Sequence, residues 1–427
     1  MKDLDLDDFA ISTGKNINIL EDKKEEKKKK INKALIKSMI VLNGQVKSSI
    51  FGNVKSYIFS LYYNKIKVPK FDNNKNINPT YLFHNQITEK NKNEVDYILK
   101  TFLYMTYRSG FINMKTISSG NYSSDSGWGC MIRCCQMLLS KALIEKKIFE
   151  LKKNKQEVNG QVLEKIRKEV LALFNDNYLE PKDLKDHPDL KNFWSQYDEV
   201  VKESPEYKNI YKVIPPYSIH ILSKQGYCSG VFTSDMNMIN VFTDINNDIF
   251  DDMNITNFCV GIVNVKKLFK TFCDEYNGSD KNNTQDIIEF WGKKYIFKKG
   301  GIVFVSFRYG NDLLDPKYYK IIPLIYQKFR NNLGMVGGNR KRGYYFIGVQ
   351  GEDNLIIADP HFTQDTAMTE DKFYDSCNAQ NLYLFGINEM RCQFSLCVSI
   401  FDSQQLREFL EDVQWMSNHD KSFIRFE

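Results

Sequence analysis

Histidine is scarce in this chain. Only His84, His187, His220, His361 and His419 occur in 427 residues, so any chemistry that needs an imidazole must draw on one of the five. Long apolar runs are absent too: none approaches the roughly 18 residues of a membrane-spanning helix. The opening MKDLDLDDFAISTG is acidic and lacks the basic and apolar regions of a secretory signal. These absences predict an intracellular, cytoplasmic protein. The nine cysteines are an odd number spread from Cys130 to Cys397, with no C-x-x-C pair. That excludes a small disulfide scaffold and the usual spacing of structural zinc, so reduced thiols are expected, with no metal and no cofactor.

Nor is there a broad excess of charge. Much of the net +6 lies in Lys23–Lys30 (KKEEKKKK), six lysines against two glutamates. A run of that kind near a terminus is a solvated tail; it leaves room for transient contact with an anionic membrane surface and implies no nucleic acid partner. Residues 1–45 are therefore expected to be a charged, disordered tail, with order beginning near Ser48. A folded domain over 46–416 and a short tail over 417–427 would follow.

The hydrophobic pattern changes along the chain. Val95, Ile98, Phe102 and Met105 stand at helical spacing and predict an amphipathic helix over Asn93–Tyr107, ending before Gly110. Met131, Cys135, Leu138 and Ala142 predict a second, starting at or just after Cys130. Residues 146–216 are strongly charged and read as a surface elaboration. Short strand candidates follow at Cys259–Val265, Gly301–Phe307, Tyr344–Gln350 and Asn354–Ala358, the last two joined by the hairpin signal Gly351-Glu-Asp. Helices first and strands later indicate an α+β fold with a largely antiparallel sheet.

Ser124-Asp-Ser-Gly-Trp-Gly-Cys130 places a thiol where glycines let the chain turn sharply and polar residues can cap the helix beneath it. Cys134 and Cys135, beside that helix's apolar stripe, behave as small core hydrophobes. A helix N-terminus favours the thiolate by only about 1 kcal/mol, so a strong nucleophile also needs a histidine. His361, in Ile356-Ile-Ala-Asp-Pro-His361, follows a strand candidate, and Asp359 two residues earlier projects to the same side of an extended chain. Such a carboxylate can orient the ring for a triad; a strand-end Asp-Pro turn beside a surface histidine would look the same.

Four stretches together resemble the autophagins, cysteine proteases that process and de-lipidate the ubiquitin-like modifier of autophagosomes. They are Thr106-Tyr-Arg108, the block Ser124–Leu138 (SDSGWGCMIRCCQML), Gly337-Gly338 with Tyr344-Tyr-Phe-Ile-Gly348, and Asp359-Pro-His-Phe-Thr-Gln364. The resemblance runs discontinuously from about Ser48 to Trp415. It implies a papain-like fold with a small additional subdomain, Cys130 as nucleophile, His361 as base and acid, Asp359 as orienting carboxylate, and Tyr107 as an oxyanion donor. The implied substrates are a GABARAP-type modifier precursor, cut after a glycine, and the modifier's phosphatidylethanolamine conjugate. Trp128, Gly337 and Gly338 are candidate walls of a narrow groove and of a loop that opens on binding; the two glycines equally suit an ordinary turn.

This chain also departs from the family pattern. Phe232, in Gly230-Val-Phe-Thr-Ser-Asp-Met-Asn237, stands where a Trp-Tyr-Gly-Pro-Asn stretch is usual, and His220 reads as structural. The end, Phe423-Ile-Arg-Phe426, has an aromatic where the family's short modifier-binding motif has an aliphatic residue. Two rivals to an active processing enzyme follow: a silent modifier-binding protein of the same fold, and a protease of another ubiquitin-like protein.

Overall fold

The computed structural model describes residues 79–427 apart from 89, 116–120, most of 178–213, 248–252, 277–285, 367–369 and 380–381. The expected tail over 1–45 and the onset of order near Ser48 lie outside the described residues.

The strand Gly301–Leu313 explains the architecture. Its first residues, GIVFVSF, are apolar at nearly every position, and successive side chains of a strand point to opposite faces, so the sheet needs cover on both. Ile302 and Phe304 join one core, while Val303, Val305 and Phe307 join the other. The sheet runs Tyr383–Gly386, Asn354–Ala358, Gly343–Gln350, Asn332–Gly338, Arg391–Ile400, Gly301–Leu313, Asn254–Phe258, with Thr80–Leu82 and Asn85–Ile87 added beside Gly343–Gln350. Only Asn254–Phe258 pairs in parallel, against Gly301–Val305; the other neighbours are antiparallel. The fold is α+β and papain-like, as expected.

On one face the helix Cys130–Lys153 packs on Asn332–Gly338 and Gly343–Gln350, and on its other side it meets the helices Gly160–Ala172, Ile219–Gln225 and Asp235–Ile245. Every residue from Ile132 to Ile144 is buried. A helix covered all round has no polar face, so the expected stripe is widened into a continuous run. The helices Val265–Phe272, Ile321–Lys328 and Ser403–His419 cover the opposite face.

Several elements differ from expectation. The first helix is only Val95–Leu99, and Tyr107 opens the strand Tyr107–Lys115, which contains Gly110. Distant partners claim the amides that would have prolonged the helix: Leu103 N–H donates to Ser140 Oγ at 2.9 Å and Tyr104 N–H to the Cys377 carbonyl at 2.7 Å. Cys259–Val265 is not one strand, because Val260 and Gly261 turn with positive φ of 55° and 64° and Asn264 caps the next helix, leaving only Ile262–Val263 extended. The charged region beginning at 146 is not all surface. Helix Gly160–Ala172 buries Leu163, Ile166, Val170 and Arg167, whose guanidinium donates to the carbonyls of Lys100 and Phe102. Residues 417–427 are not a tail either: Phe423 stacks on Phe307 at 4.7 Å between centroids, and Arg425–Phe426 pairs with Ile262–Val263.

Candidate active site

Cys130 opens its helix directly after the turn Asp125–Gly129. The Asp125 carbonyl accepts N–H bonds from Trp128 and Gly129, at 3.2 and 2.9 Å. Gly127 takes a φ of +85°, and a Cβ at Gly129 would lie 2.5 Å from Asp125 Oδ2, so glycine is required at both positions. No polar side chain caps the helix, contrary to expectation; its N-cap is Gly129. Asp125 instead fastens the turn from below, accepting the Arg108 N–H and Arg133 Nε–H, both at 2.7 Å, while Arg133 also meets Asp176 at 2.8 Å. First-turn N–H groups have no partner within a helix, and the Cys130 amide is the first of them here.

The strand Asn354–Ala358 delivers Asp359 and, past Pro360, His361. The same carboxylate oxygen accepts the His361 backbone N–H at 3.0 Å and is bonded to Nδ1 of the ring. Tyr104 Oη–H donates to the Asp359 carbonyl at 2.6 Å, and Tyr107 N–H to the Pro360 carbonyl at 2.9 Å. The rings of Tyr107 and Tyr344 meet the imidazole edge to face, each at 5.4 Å. A ring held on three sides presents its remaining nitrogen in one direction, and the Cys130 thiol is among the groups that raise its pKa.

The electrostatics follow from this geometry. Burial opposes a charge on the Cys130 thiol, but the hydrogen bond and charge of His361, the Gly343 N–H and the Tyr107 hydroxyl together hold its pKa below the ordinary value. Burial likewise opposes the imidazolium, and the charge and hydrogen bond of Asp359, with a contribution from Cys130, raise His361 to about 9. Each group thus favours the charged form of the other, the imidazolium lowering the thiol and the thiolate raising the ring. Cys134 and Cys135 differ: burial pushes both thiols well up. Among the described residues no cluster of His, Cys, Asp and Glu has the makings of a metal site, and no helix is long and apolar enough to cross a membrane.

Residues 92–412 match the peptidase C54 catalytic domain. The chain belongs to the peptidase C54 family, the autophagins. Among its relatives, cysteine protease ATG4A of Xenopus laevis is 25% identical over 300 residues, covering 69% of this chain and 66% of the relative. Cysteine protease ATG4A of Mus musculus is 28% identical over 282 residues, 65% and 61% respectively. Probable cysteine protease ATG4 of Debaryomyces hansenii is 22% identical over 307 residues, 71% and 51%. The match thus spans less than two thirds of each relative's length.

In this C54 domain Cys130 lies in the wall of an open cavity of about 280 Å³. Phe232, Gly337 and Gly338 also line it. Trp128 does not: it is buried against Tyr122, and its Nε1–H donates to the Ser124 carbonyl at 3.1 Å. The two glycines are not a free loop but paired strand, Gly337 with Tyr344 and Gly338 with Gly343, and only Asn339–Arg342 turns. His220 sits apart, with Nε2 against the Ile112 carbonyl at 2.9 Å and its ring on Phe111. His187 lies outside the described residues. The sequence reading missed Gly343, Asp125 with Arg133, and the basic turn beside the thiol. The signals available were the dense charge of Asn339-Arg-Lys-Arg342 and an arginine inside an apolar helix.

Proposed function

We propose that the chain is a cytoplasmic cysteine protease of the autophagy pathway that cuts after the C-terminal glycine of a ubiquitin-like modifier of GABARAP type. It both matures the precursor and releases the modifier from phosphatidylethanolamine. The observation that carries this reading is the convergence of Cys130, His361 and Asp359, with Tyr107 beside them, inside a C54 domain.

The Cys130 thiolate attacks the glycyl carbonyl carbon, forming the S–C bond and moving the carbonyl electron pair onto oxygen. The Cys130 N–H and the Tyr107 hydroxyl receive that oxyanion, each such donor being worth about 2.7 to 4 kcal/mol. His361 then gives its proton to the leaving amine as the C–N bond breaks, leaving a thioester. Water, deprotonated by the now neutral His361, attacks the thioester and regenerates the thiolate. Asp359 fixes the tautomer and supports the imidazolium without taking its proton.

The test is incubation of the protein with a purified modifier precursor and with the conjugate on phosphatidylethanolamine vesicles, read by mass spectrometry. Release of the segment beyond the glycine, absent with Cys130→Ala, is expected. A wild-type protein inert on both substrates, yet binding them, would make it the silent binder instead.

A further inference from the structure

The turn Asn339–Arg342 brings Arg340, Lys341 and Arg342 to the mouth of the cavity that holds Cys130, and Arg391 lines the same mouth. Forming the turn needs little of this. Asn339 supplies the closing bonds, its N–H donating to the Arg342 carbonyl at 2.9 Å and its carboxamide oxygen accepting the Lys341 N–H at 3.0 Å. Three consecutive cations repel one another, so closing the turn does not account for their charge, although Arg342 also bonds to Tyr344. Their compensation is partial. Asp312 serves both Arg340 and Arg391, while Asp235, the acid on the cavity wall, is engaged by Ser395 and Gln393. Arg340 and Lys341 remain exposed.

The rest of the cavity has a different character. Phe232 is 60% exposed on its wall, an uncommon amount for a phenylalanine. Its floor is bare backbone at Gly337 and Gly338, where a Cβ would come within 2.9 Å of Phe394 Cβ and 1.9 Å of the Arg342 carbonyl oxygen. A backbone floor with one aromatic wall and one cationic wall suits an extended peptide carrying both apolar and acidic side chains. A phosphate headgroup would use the cations and leave Phe232 uncovered.

We propose that Arg340, Lys341, Arg342 and Arg391 form a carboxylate-reading subsite that selects a substrate tail with an acidic side chain a few residues from the scissile glycine. The register sets the distance. Gly343, whose N–H lowers the Cys130 pKa, directly follows Arg342, and Lys341 and Arg340 stand two and three positions before it in the turn, so the cations lie a few residues' span from the nucleophile, a span that an extended tail covers at about 3.3 Å per residue. An extended substrate tail therefore reaches the tip with its second to fourth residue from the cut. This inference rests on the proposed cleavage after glycine.

The experiment uses the full chain and modifier precursors carrying Glu, Gln or Lys at those tail positions, with Arg340→Glu/Arg342→Glu as the second enzyme. Wild type is expected to favour the Glu tail over the Gln tail by about tenfold in kcat/KM at low salt, the ratio shrinking as ionic strength rises. The double variant should invert the order and favour the Lys tail, which an unfolded protein could not do. Equal wild-type rates on all three tails overturn the subsite while leaving the protease reading intact. So does a preference for a phosphoethanolamine leaving group over a neutral amine with no effect of tail charge, because the cations would then be reading a headgroup. If wild type cleaves no tail, the protease reading fails by itself. Fluorescence anisotropy of labelled Glu and Gln tails on Cys130→Ala then decides the subsite, equal affinities refuting it.

Discussion

Replacing His361 with alanine removes the group that ionises Cys130, and the effect can be sized from the site. The imidazole stands at about 9 against an ordinary 6.5, a rise of about 2.5, or ~3 kcal/mol in favour of the charged ring despite its burial. Asp359 supplies most of that preference and Cys130 the rest, and the ring in turn lowers the thiol. The signs of the two halves differ. A raised histidine pKa adds stability that is complete below 6.5 and disappears as pH rises through about 9. A lowered thiol pKa adds stability that is present above the ordinary 9.0 and disappears as pH falls through the depressed value. The ion pair therefore occupies the window between the Cys130 value and about 9. In His361→Ala only burial remains as the dominant influence on the thiol, so iodoacetamide labelling of Cys130 at pH 7 should slow by about 10- to 100-fold. Peptide mapping reads the rate site by site, with exposed Cys259 as the internal reference in the same sample. Labelling of Cys130 that is unchanged in the variant, or in wild type no faster than at Cys377 or Cys392, would refute the resting ion pair.

The other expectations are briefer. Cys130→Ala should abolish cleavage while Cys134→Ala and Cys135→Ala keep most of it, since burial pushes those thiols up and neither has an imidazole partner; equal loss in all three would sink the assignment. Tyr107→Phe should lower kcat by about 10²- to 10³-fold with little change in KM if its hydroxyl holds the oxyanion, and an unchanged kcat would remove it from that role. The pH profile of kcat/KM should fall on its alkaline side near the His361 value of about 9. Arg133→Ala leaves Asp125 and Asp176 buried without their cation and should cost about 3 to 5 kcal/mol in urea unfolding; a loss under 1 kcal/mol would mean the turn under Cys130 does not depend on that pair.

How much of this could be read beforehand follows from how local each requirement is. Glycine before Cys130 and the spacing of Asp359 to His361 are demands a few adjacent residues place on one another, so they are visible in a short stretch. The hairpin Tyr344–Gln350 to Asn354–Ala358 is local in the same sense and appears where expected. The helix Val95–Leu99 is not. Phe102 and Met105 keep helical spacing, but the Leu103 and Tyr104 amides bond to Ser140 and Cys377, partners 37 and 273 residues away along the chain, and no spacing rule carries that information. The same holds for Phe423–Phe426, whose aromatic pattern resembles a docking motif and is satisfied by packing on Phe307 and pairing with Ile262–Val263.

The candidate groove lies between these cases, and that position explains its errors. Trp128 sits two residues from the nucleophile, so proximity in sequence suggests a wall; but the sharp turn that starts the helix at Cys130 carries the indole under, bonded to Ser124. The walls come instead from segments far apart in sequence, Phe232 from before one helix and Arg340–Arg342 from a hairpin tip, brought together by the sheet that also positions Gly343 against the thiol. The reacting atoms therefore rest on local chain geometry, whereas the groove depends on sheet register. A substitution in the Asn339–Arg342 turn can alter which tail is accepted while the turn at Gly129 and the Asp359–His361 pair stay as they are.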